Sequence, residues 1–336
     1  MPTYCTYDEI KSQTQAWAEA LRLSSCLSLP KPEDHDQVIF TGCGSTYYLS
    51  LAAAALYQQL TGRPARGVAG SELWLNPRTV LTAGRTLLIA VSRSGTTTET
   101  LQAVSTFKSN YGGEVLAIGN YDEALSRLAD LSLVIESGQE ESVAQTRSFA
   151  SMYVAAVALC ARMAGQDHLL SAMKELPDAG QRLISRYEAL AQEIGEKLSL
   201  DRFYFLGSGI RYGLACGLNL KMKEMTLTHS EPFAFLEFRH GPMSMVNRSA
   251  LVVGLLSDAN GKQEAKVLRD MEALGAQVLS LGESGAMVKL MSNVPESVRG
   301  VLYLPVLQLA AFYRSLAKGL NPDRPNNLTA VVKLDV

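Results

Sequence analysis

The stretch DQVIFTGCGSTYYL, residues 36–49, returns 165 positions later as DRFYFLGSGIRYGL, residues 201–214. The two copies share an Asp, a Phe, both glycines, a Tyr and a Leu at matching positions. Each copy is typical of a short buried strand, a Gly-x-Gly turn and the start of an Ala- or Leu-rich helix. An internal repeat of this kind indicates a duplicated domain.

A second strand, turn and helix follow each copy of the repeat. The predicted strands after the repeats are 86–91, 115–118, 131–135, 250–256 and 277–281, and the predicted helices are about 99–110 and 262–274. Apolar strands that alternate with helices are typical of parallel sheets covered on both faces. The sequence therefore predicts an α/β fold of two tandem domains, each a parallel sheet between helices in a three-layer, flavodoxin- or Rossmann-like arrangement.

The predicted organisation has four parts. They are an N-terminal helical segment at 1–28, a first domain at 29–166, a helical linker at 167–200 and a second domain at 201–336. Thr6-x-x-Glu9 predicts a capping box that opens a helix through about Leu23. Pro177 to Gly180 predicts a break within the linker.

The composition favours a folded protein that handles small molecules. With 336 residues, 47% hydrophobic and 19% charged, the chain is long enough for two cores. A net charge of −2 provides no basic excess for a nucleic-acid backbone, so no nucleic-acid partner is expected. Five scattered cysteines without a C-x-x-C suit a reducing cytosol better than disulfides or zinc.

Neither a membrane nor a cofactor is expected. The N-terminus lacks the features of a signal peptide, and the apolar run from Val301 to Leu316 is interrupted by Gln308 and Arg314, so we predict a cytoplasmic protein. Tyr47 stands where a nicotinamide fingerprint needs its third glycine, and no G-x-x-x-x-G-K-[ST] occurs.

The turns of the first half carry hydroxyl groups that suit an anion. The turn from Ser92 to Thr98, SRSGTTT, lies between a buried strand and a helix, and Ser45 and Thr46 follow the first Gly-x-Gly. Such turns offer backbone N–H groups, hydroxyls and a helix N-terminus to one anion. In the second half the corresponding positions hold SDANG, with an acid, and Ile-Arg. The alternative is that these Ser and Thr residues only cap helices.

The second half holds the candidate proton-transfer groups. Lys221 and Glu224 are three positions apart on one predicted helix and share a face. Pro232 ends any helix, which places His240 on a loop where it could transfer protons near neutral pH. The alternative is a solvated Lys–Glu pair and a surface histidine. The histidine spacing does not suit a metal, and Cys43 is expected to be a small buried residue rather than a nucleophile.

Several of these motifs resemble those of a known family. GCGST (42–46), SRSGTTTETL (92–101) and ESVAQTRSF (141–149) resemble the phosphosugar-binding motifs of sugar isomerase (SIS) domains. KMKE (221–224) and EFRHGP (237–242) resemble the catalytic segment of the isomerase half of glucosamine-6-phosphate synthase, also called glutamine–fructose-6-phosphate aminotransferase. The chain is therefore identified as a member of the tandem-SIS family over nearly its whole length.

The resemblance implies a role for each matched residue. The residues implied in binding the sugar phosphate are Gly44, Ser45, Thr46, Ser92, Ser94 and Thr97, with Arg93 nearby, and those implied in lining the sugar are Val143 and Gln145. Glu224 would move a proton between C1 and C2, and Lys221 would tune it. His240 would help to open the sugar ring and would reach into the partner's site in a homodimer. The implied chemistry demands no cofactor and no metal.

Three departures from the family pattern bear on the reaction. Pro2 stands where the complete synthase has the cysteine of its glutaminase domain, Ala330 stands where it has a lysine, and Gln145 replaces a small hydroxyl residue. These departures favour a deaminase/isomerase that releases ammonia from a hexosamine 6-phosphate over glutamine-dependent synthesis. The alternatives are a fructosamine-6-phosphate deglycase and a non-catalytic phosphosugar sensor.

Overall fold

The strands form two parallel sheets of the same topology. The computed structural model describes residues 4–334. Its strands are β1 (Gln37–Gly42), β2 (Ala65–Ala69), β3 (Thr86–Ser92), β4 (Glu114–Gly119), β5 (Leu131–Val134), β6 (Arg202–Leu206), β7 (His229–Phe233), β8 (Ala250–Leu255), β9 (Gln277–Gly282) and β10 (Val288–Lys289). The sheet orders are β2-β1-β3-β4-β5 and β10-β9-β8-β6-β7. Both follow the flavodoxin-like order 2-1-3-4-5, so the duplicated α/β fold is confirmed.

Helices connect most of the strands, whereas 3₁₀ turns join β7 to β8 and a loop joins β9 to β10. They are α1 (Cys5–Cys26), α2 (Ser45–Thr61), α3 (Gly70–Leu75), α4 (Pro77–Val80), α5 (Thr98–Asn110), α6 (Ala124–Leu128), α7 (Arg147–Met163), α8 (Asp167–Met173), α9 (Leu176–Glu196), α10 (Ile210–Thr226), α11 (Gly261–Ala273) and α12 (Pro305–Ala317). Short 3₁₀ turns lie at Pro32–Asp34, Glu136–Gly138, Glu237–Arg239, Pro242–Met245 and Gly300–Tyr303.

Contacts divide the chain into two compact units. The first-sheet unit comprises Ser12–Glu140, Gln145–Lys174 and the described residues from Thr329 onward. The second-sheet unit comprises the described residues up to Lys11, Glu141–Ala144 and Glu175–Leu328. The predicted linker is thereby divided, because α8 belongs to the first-sheet unit while α9 packs on α12 in the second-sheet unit.

Each unit has its own apolar core between sheet and helices. In the first-sheet unit, Ile39 and Leu88 pack with Phe107 of α5. In the second-sheet unit, Val252 packs with Val267 of α11. The strands β1, β3 and β8 are buried along their full length, which explains why their sequences are continuously apolar rather than alternating.

Two predictions about helix ends are wrong. Helix α1 begins at Cys5, so Thr6 lies inside the helix, and the Asp323 carboxylate accepts from the backbone N–H groups of Cys5 (3.0 Å) and Thr6 (2.8 Å). The cap thus comes from a residue distant in sequence. The predicted break at Pro177 to Gly180 is helical, because Pro177 lies in the first turn of α9, where a missing N–H costs nothing.

Three strands, β2, β7 and β10, were not predicted. Pro232 lies inside β7, which is tolerated because β7 is the edge strand of its sheet. β2 reads ARGVA and β10 has only two residues, so neither carries an apolar strand pattern. Helix α1 extends three residues beyond the predicted Leu23, and the other predicted strands and helices agree with the structure to within one or two residues.

One segment in the described chain, Gly300–Ala317, is long and apolar enough to cross a membrane by length and composition. The segment contains Gln308 and Arg314, as the sequence analysis noted, so it is not an uncharged run. Within the fold, 83% of it is buried, as is usual for a core helix. The Arg314 guanidinium is satisfied there, since its Nε donates to Thr228 Oγ1 at 2.7 Å.

Candidate functional site

The Gly-x-Gly turns have the same backbone in both copies. Gly44 precedes α2 with φ 56°, and Gly209 precedes α10 with φ 58°, a left-handed conformation that favours glycine. The first glycine of each pair closely approaches the residue four positions on. A Cβ at Gly42 would lie 2.8 Å from the carbonyl carbon of that residue, and a Cβ at Gly207 would lie 2.7 Å from it. The repeat therefore conserves backbone geometry at a strand-to-helix turn.

The two hydroxyls after the first Gly-x-Gly differ in their bonding. Thr46 Oγ1 accepts from the backbone N–H of Cys43 at 2.9 Å and donates to its carbonyl oxygen at 3.0 Å. Thr46 therefore closes the turn. Ser45 is buried, and its hydroxyl has no hydrogen-bond partner among residues 4–334. Of the two predicted ligands, Ser45 is the one whose hydroxyl is free for an anion.

The turn after β3 gathers three of the predicted ligands. Ser92 Oγ accepts from the Gly95 N–H at 3.2 Å and lies 3.5 Å from Thr97 Oγ1. Ser94 Oγ accepts from the backbone N–H of Thr96 at 3.2 Å. Because β1 and β3 are adjacent parallel strands, this turn and the Gly-x-Gly turn follow neighbouring carboxyl ends at the switch point of the sheet. Open α/β sheets bind their ligands at this place.

Arg93 is held by groups of its own unit. It is only 6% exposed, and its Nη1 lies 3.7 Å from Oε2 of Glu140, whose side chain is fully buried. Glu140 also accepts from the backbone N–H of Thr146 at 2.7 Å and from its hydroxyl at 2.8 Å. Glu140 was not predicted, although it directly precedes the recognised ESVAQTRSF motif. Glu140 therefore neutralises Arg93 and, through Thr146, also holds that motif in place.

The C-terminal segment lies along the same turn. Arg93 Nη2 donates to the Ala330 carbonyl at 2.7 Å, and the Leu334 N–H donates to Thr98 Oγ1 at 3.0 Å. Ala330 stands where the resemblance implies a lysine, and it contributes its backbone carbonyl to Arg93. The segment joins the first-sheet unit through these backbone contacts.

The two residues implied to line the sugar belong to different units. Val143 lies in the second-sheet unit, where its N–H donates to the Asp323 carbonyl at 2.9 Å. Gln145 lies in the first-sheet unit, and its Oε1 is buried without a hydrogen-bond donor among the described residues. A buried amide oxygen without a donor is costly, so a ligand that supplied a hydroxyl or amine would be favoured there.

Lys221 and Glu224 form an ion pair on α10, as their spacing predicts. Lys221 is 4% exposed, whereas the Glu224 side chain is 19% exposed. The ammonium is therefore held almost dry against a carboxylate that solvent or a ligand can still reach. A solvated surface pair does not describe this geometry, because burying the Lys221 charge requires its partner.

His240 lies on a loop, as predicted, between the 3₁₀ turns Glu237–Arg239 and Pro242–Met245. Its backbone N–H donates to the Glu237 carbonyl at 2.9 Å, and the fully buried Phe238 anchors the loop. The imidazole is exposed, and within residues 4–334 no hydrogen bond or ion pair joins it to Glu224. The structure thus pairs Lys221 with Glu224 and leaves His240 apart.

Within the described chain, no three or more His, Cys, Asp or Glu residues are grouped so that they could hold a metal ion.

Burial raises the pKa of the Cys43 thiol, although a hydrogen bond with Thr100 opposes this shift. A thiol with a raised pKa is a poor nucleophile, as expected for Cys43, although the residue is partly rather than fully buried.

The two sheets of order 2-1-3-4-5, with hydroxyl-lined turns at one switch point, define a tandem, flavodoxin-like α/β protein with a candidate anion site in its first-sheet unit. The SIS domain model matches residues 33–162 and 199–287, and the chain belongs to the SIS domain family.

Individual relatives agree with this assignment. The chain is 31% identical over 320 residues to the isomerizing glutamine–fructose-6-phosphate aminotransferase of Pyrococcus horikoshii, an alignment that covers 90% of this chain and 52% of that protein. The chain spans about half the length of the curated relatives it matches. The crystal structure of glucosamine-6-phosphate deaminase from Thermotoga maritima superposes with a TM-score of 0.83 at 27% identity, covering 98% of this chain and 100% of the deaminase.

The C-terminal domain of glucosamine-fructose-6-phosphate aminotransferase from Francisella tularensis has a TM-score of 0.85 at 20% identity, covering 96% of this chain and 98% of that domain. At this identity the likeness shows the fold alone.

Proposed function

We propose that this protein is an aminosugar-6-phosphate deaminase and isomerase, which converts a hexosamine 6-phosphate and water to a ketose 6-phosphate and ammonia. The observation that carries the proposal is the dry Lys221 ammonium paired with the reachable Glu224 carboxylate. Membership of the SIS family and the likeness to the Thermotoga deaminase support it.

Each proposed role follows from the chemistry of the side chain. His240 exchanges a proton with the ring oxygen and the C1 hydroxyl, which opens the sugar to its aldehyde. Glu224 then removes the proton from C2 and returns it to C1, while the C1 oxygen gains a proton and the 2-amine loses one, so that the aldehyde becomes a hydroxymethyl group and the amine becomes an imine at C2. Water hydrolyses the imine and releases ammonia. One carboxylate placed over both carbons suffices for the proton shift, and the Lys221 ammonium holds that carboxylate in position through their ion pair.

Phosphate binding is assigned to the first-sheet unit. The free Ser45 hydroxyl, the Ser92–Thr97 turn and the N-terminus of α5 offer neutral donors to a dianion. No cofactor is needed for this reaction. We also propose that the protein acts in the cytoplasm, where phosphorylated sugars are made and consumed.

A substrate screen tests the proposal. Glucosamine 6-phosphate, galactosamine 6-phosphate and fructoselysine 6-phosphate are each incubated with the wild-type protein, and ammonia, ketose phosphate and free lysine are measured. We expect ammonia and a ketose 6-phosphate in equal amounts from one of the first two compounds. Binding of all three without any product would overturn the proposal in favour of a phosphosugar sensor.

Cleavage of a fructosamine 6-phosphate is the second candidate. One observation favours it: Gln145 places a longer amide, with an unpaired buried oxygen, where a small hydroxyl residue is usual. That oxygen could accept from the secondary amine of a fructosamine. Release of lysine, rather than ammonia, in the screen would select this reaction.

We further propose a homodimer in which His240 serves the partner's site. A mixture of the Glu224→Gln and His240→Ala variants, unfolded and refolded together, tests this arrangement. If His240 acts across the interface, mixed dimers regain about a quarter of the activity per total chain through one intact site. Recovery of activity from the mixture supports the shared site, whereas an inactive mixture that contains dimers contradicts it.

A further inference from the structure

We infer that the second copy contains an anion site that the chain fills with its own carboxylate, Glu296, and that this site takes a phosphate monoester once Glu296 is removed. The inference rests on the proposed phosphate site of the first copy, because it interprets the second copy by its equivalence to the first.

The turns after β3 and β8 are equivalent in bonding as well as in sequence position. Ser92 Oγ accepts from the N–H of Gly95 at 3.2 Å. Ser257, 165 positions on, accepts through Oγ from the N–H of Asn260 at 2.9 Å. Each serine therefore folds its turn through the same i to i+3 contact, which retains the backbone that offers N–H groups at the end of the strand.

In the second copy, the Glu296 carboxylate lies where the equivalence of the two turns predicts a bound anion. Its Oε2 accepts from the backbone N–H of Asp258, the counterpart of Arg93, at 3.0 Å. Its Oε1 accepts from Nη1 of Arg211, the counterpart of Thr46, at 2.5 Å. One carboxylate thus binds both the turn after β8 and the helix after the Gly-x-Gly. A phosphate oxygen uses the same donors, a backbone N–H and a guanidinium.

Removal of Glu296 would take away the closest carboxylate partner of Arg211. Arg211 is 8% exposed, and its other carboxylate partner within residues 4–334, Glu264, lies 3.9 Å from Nη2. The acid of the turn, Asp258, is already paired with Arg299. The buried Arg211 charge would therefore keep only the longer contact with Glu264, whose Oε2 already accepts from the Ser257 N–H at 2.6 Å, and an incoming dianion would restore a close partner.

There is also room for more than an inorganic ion. A cavity of about 740 Å³ adjoins the turn and is lined by Ser257, Asp258 and Gly261. Lys262 and Arg269 line it too, and neither forms an ion pair with any described residue. The volume lies within the range of small-molecule sites, about 300–1,000 Å³. A hexose 6-phosphate could place its phosphate at the Glu296 position and its sugar in this cavity.

The natural chain is consequently expected to bind one sugar phosphate, in the first copy. An intramolecular carboxylate has no translational entropy to lose, so it outcompetes a free anion at the second turn. Glu296 thus prevents a second, unproductive site from sequestering substrate.

Binding stoichiometry tests the inference. Titration calorimetry with the ketose 6-phosphate product is run on the wild type and on Glu296→Ala, at equal concentrations of folded protein. We expect one site per chain in the wild type and two in the variant. Glu283→Ala is the matched control, because it also removes a carboxylate from the cavity wall, 3.7 Å from Arg299, but Glu283 accepts from Ser292 and Asn293 rather than from the turn. It is expected to keep one site.

Thermal unfolding in the presence of inorganic phosphate tests the inference even if the Glu296→Ala variant is too unstable for calorimetry. Phosphate should raise the Tm of Glu296→Ala by more than it raises that of the wild type or of Glu283→Ala, since it binds an additional site on the folded chain. One site in both the wild type and Glu296→Ala, with equal phosphate effects on Tm, would overturn the inference alone. No site in the wild type would instead count against the proposed function, and a phosphate gain confined to Glu296→Ala would still support the inference.

Discussion

The two copies of the repeat share one backbone but differ in the side chains at their turns. The sheet order, the left-handed second glycine and the serine-closed turn are common to both. In the first copy the turns present neutral hydroxyls, with Ser45 unbonded among the described residues. In the second copy the same positions join an ion-pair network around Arg211. The comparison teaches that a few side chains can give two copies of the same strand-to-helix turn different bonding partners.

A buried guanidinium occurs in both copies but with opposite consequences. Arg93 lies in the turn itself, is neutralised by Glu140 and donates to the Ala330 carbonyl. Arg211 lies on the following helix and is neutralised by Glu296. The Arg93 charge is therefore compensated from outside the turn, which leaves the hydroxyls of the first copy open. The Arg211 charge is compensated at the turn, which fills the second copy.

The largest expected effect tests whether proton transfer belongs to the second copy. Glu224→Gln removes the carboxylate base while preserving size, and kcat should fall by about 10²–10⁴-fold, the usual contribution of a general base. KM should change little, because phosphate binding is assigned to the other copy. Steady-state kinetics on the substrate identified by the screen provide the measurement.

The matched control for this prediction is Glu272→Gln, an exposed carboxylate on α11 without an ion pair to any described residue. It should retain wild-type kcat. A Glu224→Gln enzyme that retains more than about a tenth of wild-type kcat would remove Glu224 from the mechanism, since a general base contributes at least about 10²-fold.

The next effect concerns the buried charge of the first copy. Glu140→Ala leaves Arg93 buried without its carboxylate, and loss of one partner of a buried pair costs about 3–5 kcal/mol of unfolding free energy. Urea unfolding gives the measurement. Arg127→Ala, which breaks the exposed pair with Glu123, serves as the control and should cost less than about 1 kcal/mol. Equal losses in the two variants would show that the Arg93 charge is solvated rather than held by Glu140.

The comparison also shows which parts of the molecule the sequence can predict. The repeat and its apolar strands predict both sheets, because buried parallel strands are continuously hydrophobic. The strands β2 and β10 escape prediction, since their local patterns are weak and pairing with a neighbour forms them. Ser92 and Thr97 are predicted correctly to share a turn because they are close in sequence.

The partners Glu140 and Glu296 could not be found in the same way. Glu140 lies 47 residues from Arg93, and Glu296 lies 85 residues from Arg211, so only the fold brings these charges together. The same reason explains the wrong capping box, because the carboxylate that caps α1 belongs to Asp323, 318 residues from Cys5.

A third prediction concerns the close backbone approach at the first glycine of each Gly-x-Gly turn. Gly42→Ala and Gly207→Ala would each place a Cβ within 2.8 Å of backbone atoms four residues on. Both variants should lose about 1–3 kcal/mol of unfolding free energy, the usual cost of overpacking. Titration with a sugar phosphate should separate them, since only Gly42→Ala distorts the proposed phosphate site. Equal loss of affinity in both variants would contradict the division between the copies.

The smallest expected effect concerns Glu188, whose charged contacts lie outside the two turns. Glu188 of α9 accepts from Lys11 Nζ at 2.5 Å, from Tyr7 at 2.6 Å and from Tyr313 at 2.9 Å. Burial raises the pKa of the Glu188 carboxyl, but these hydrogen bonds outweigh burial and lower the pKa below its usual value of 4.5. A carboxyl with a lowered pKa in the folded state stabilises the fold above its unfolded pKa. The contribution disappears as the pH falls through the lowered value.

Unfolding free energy measured against pH should therefore separate wild type from Glu188→Gln by about 0.2–1 kcal/mol at neutral pH, as for a partly exposed pair. The difference should vanish as the pH falls through the lowered pKa of Glu188, because the wild-type carboxyl is then protonated like the neutral amide. Glu193→Gln, an exposed position on the same helix, should match the wild type at every pH. A Glu188→Gln difference that persists in acid would mean that the contact stabilises the second-sheet unit through packing rather than charge, unlike the ion pairs at Arg211.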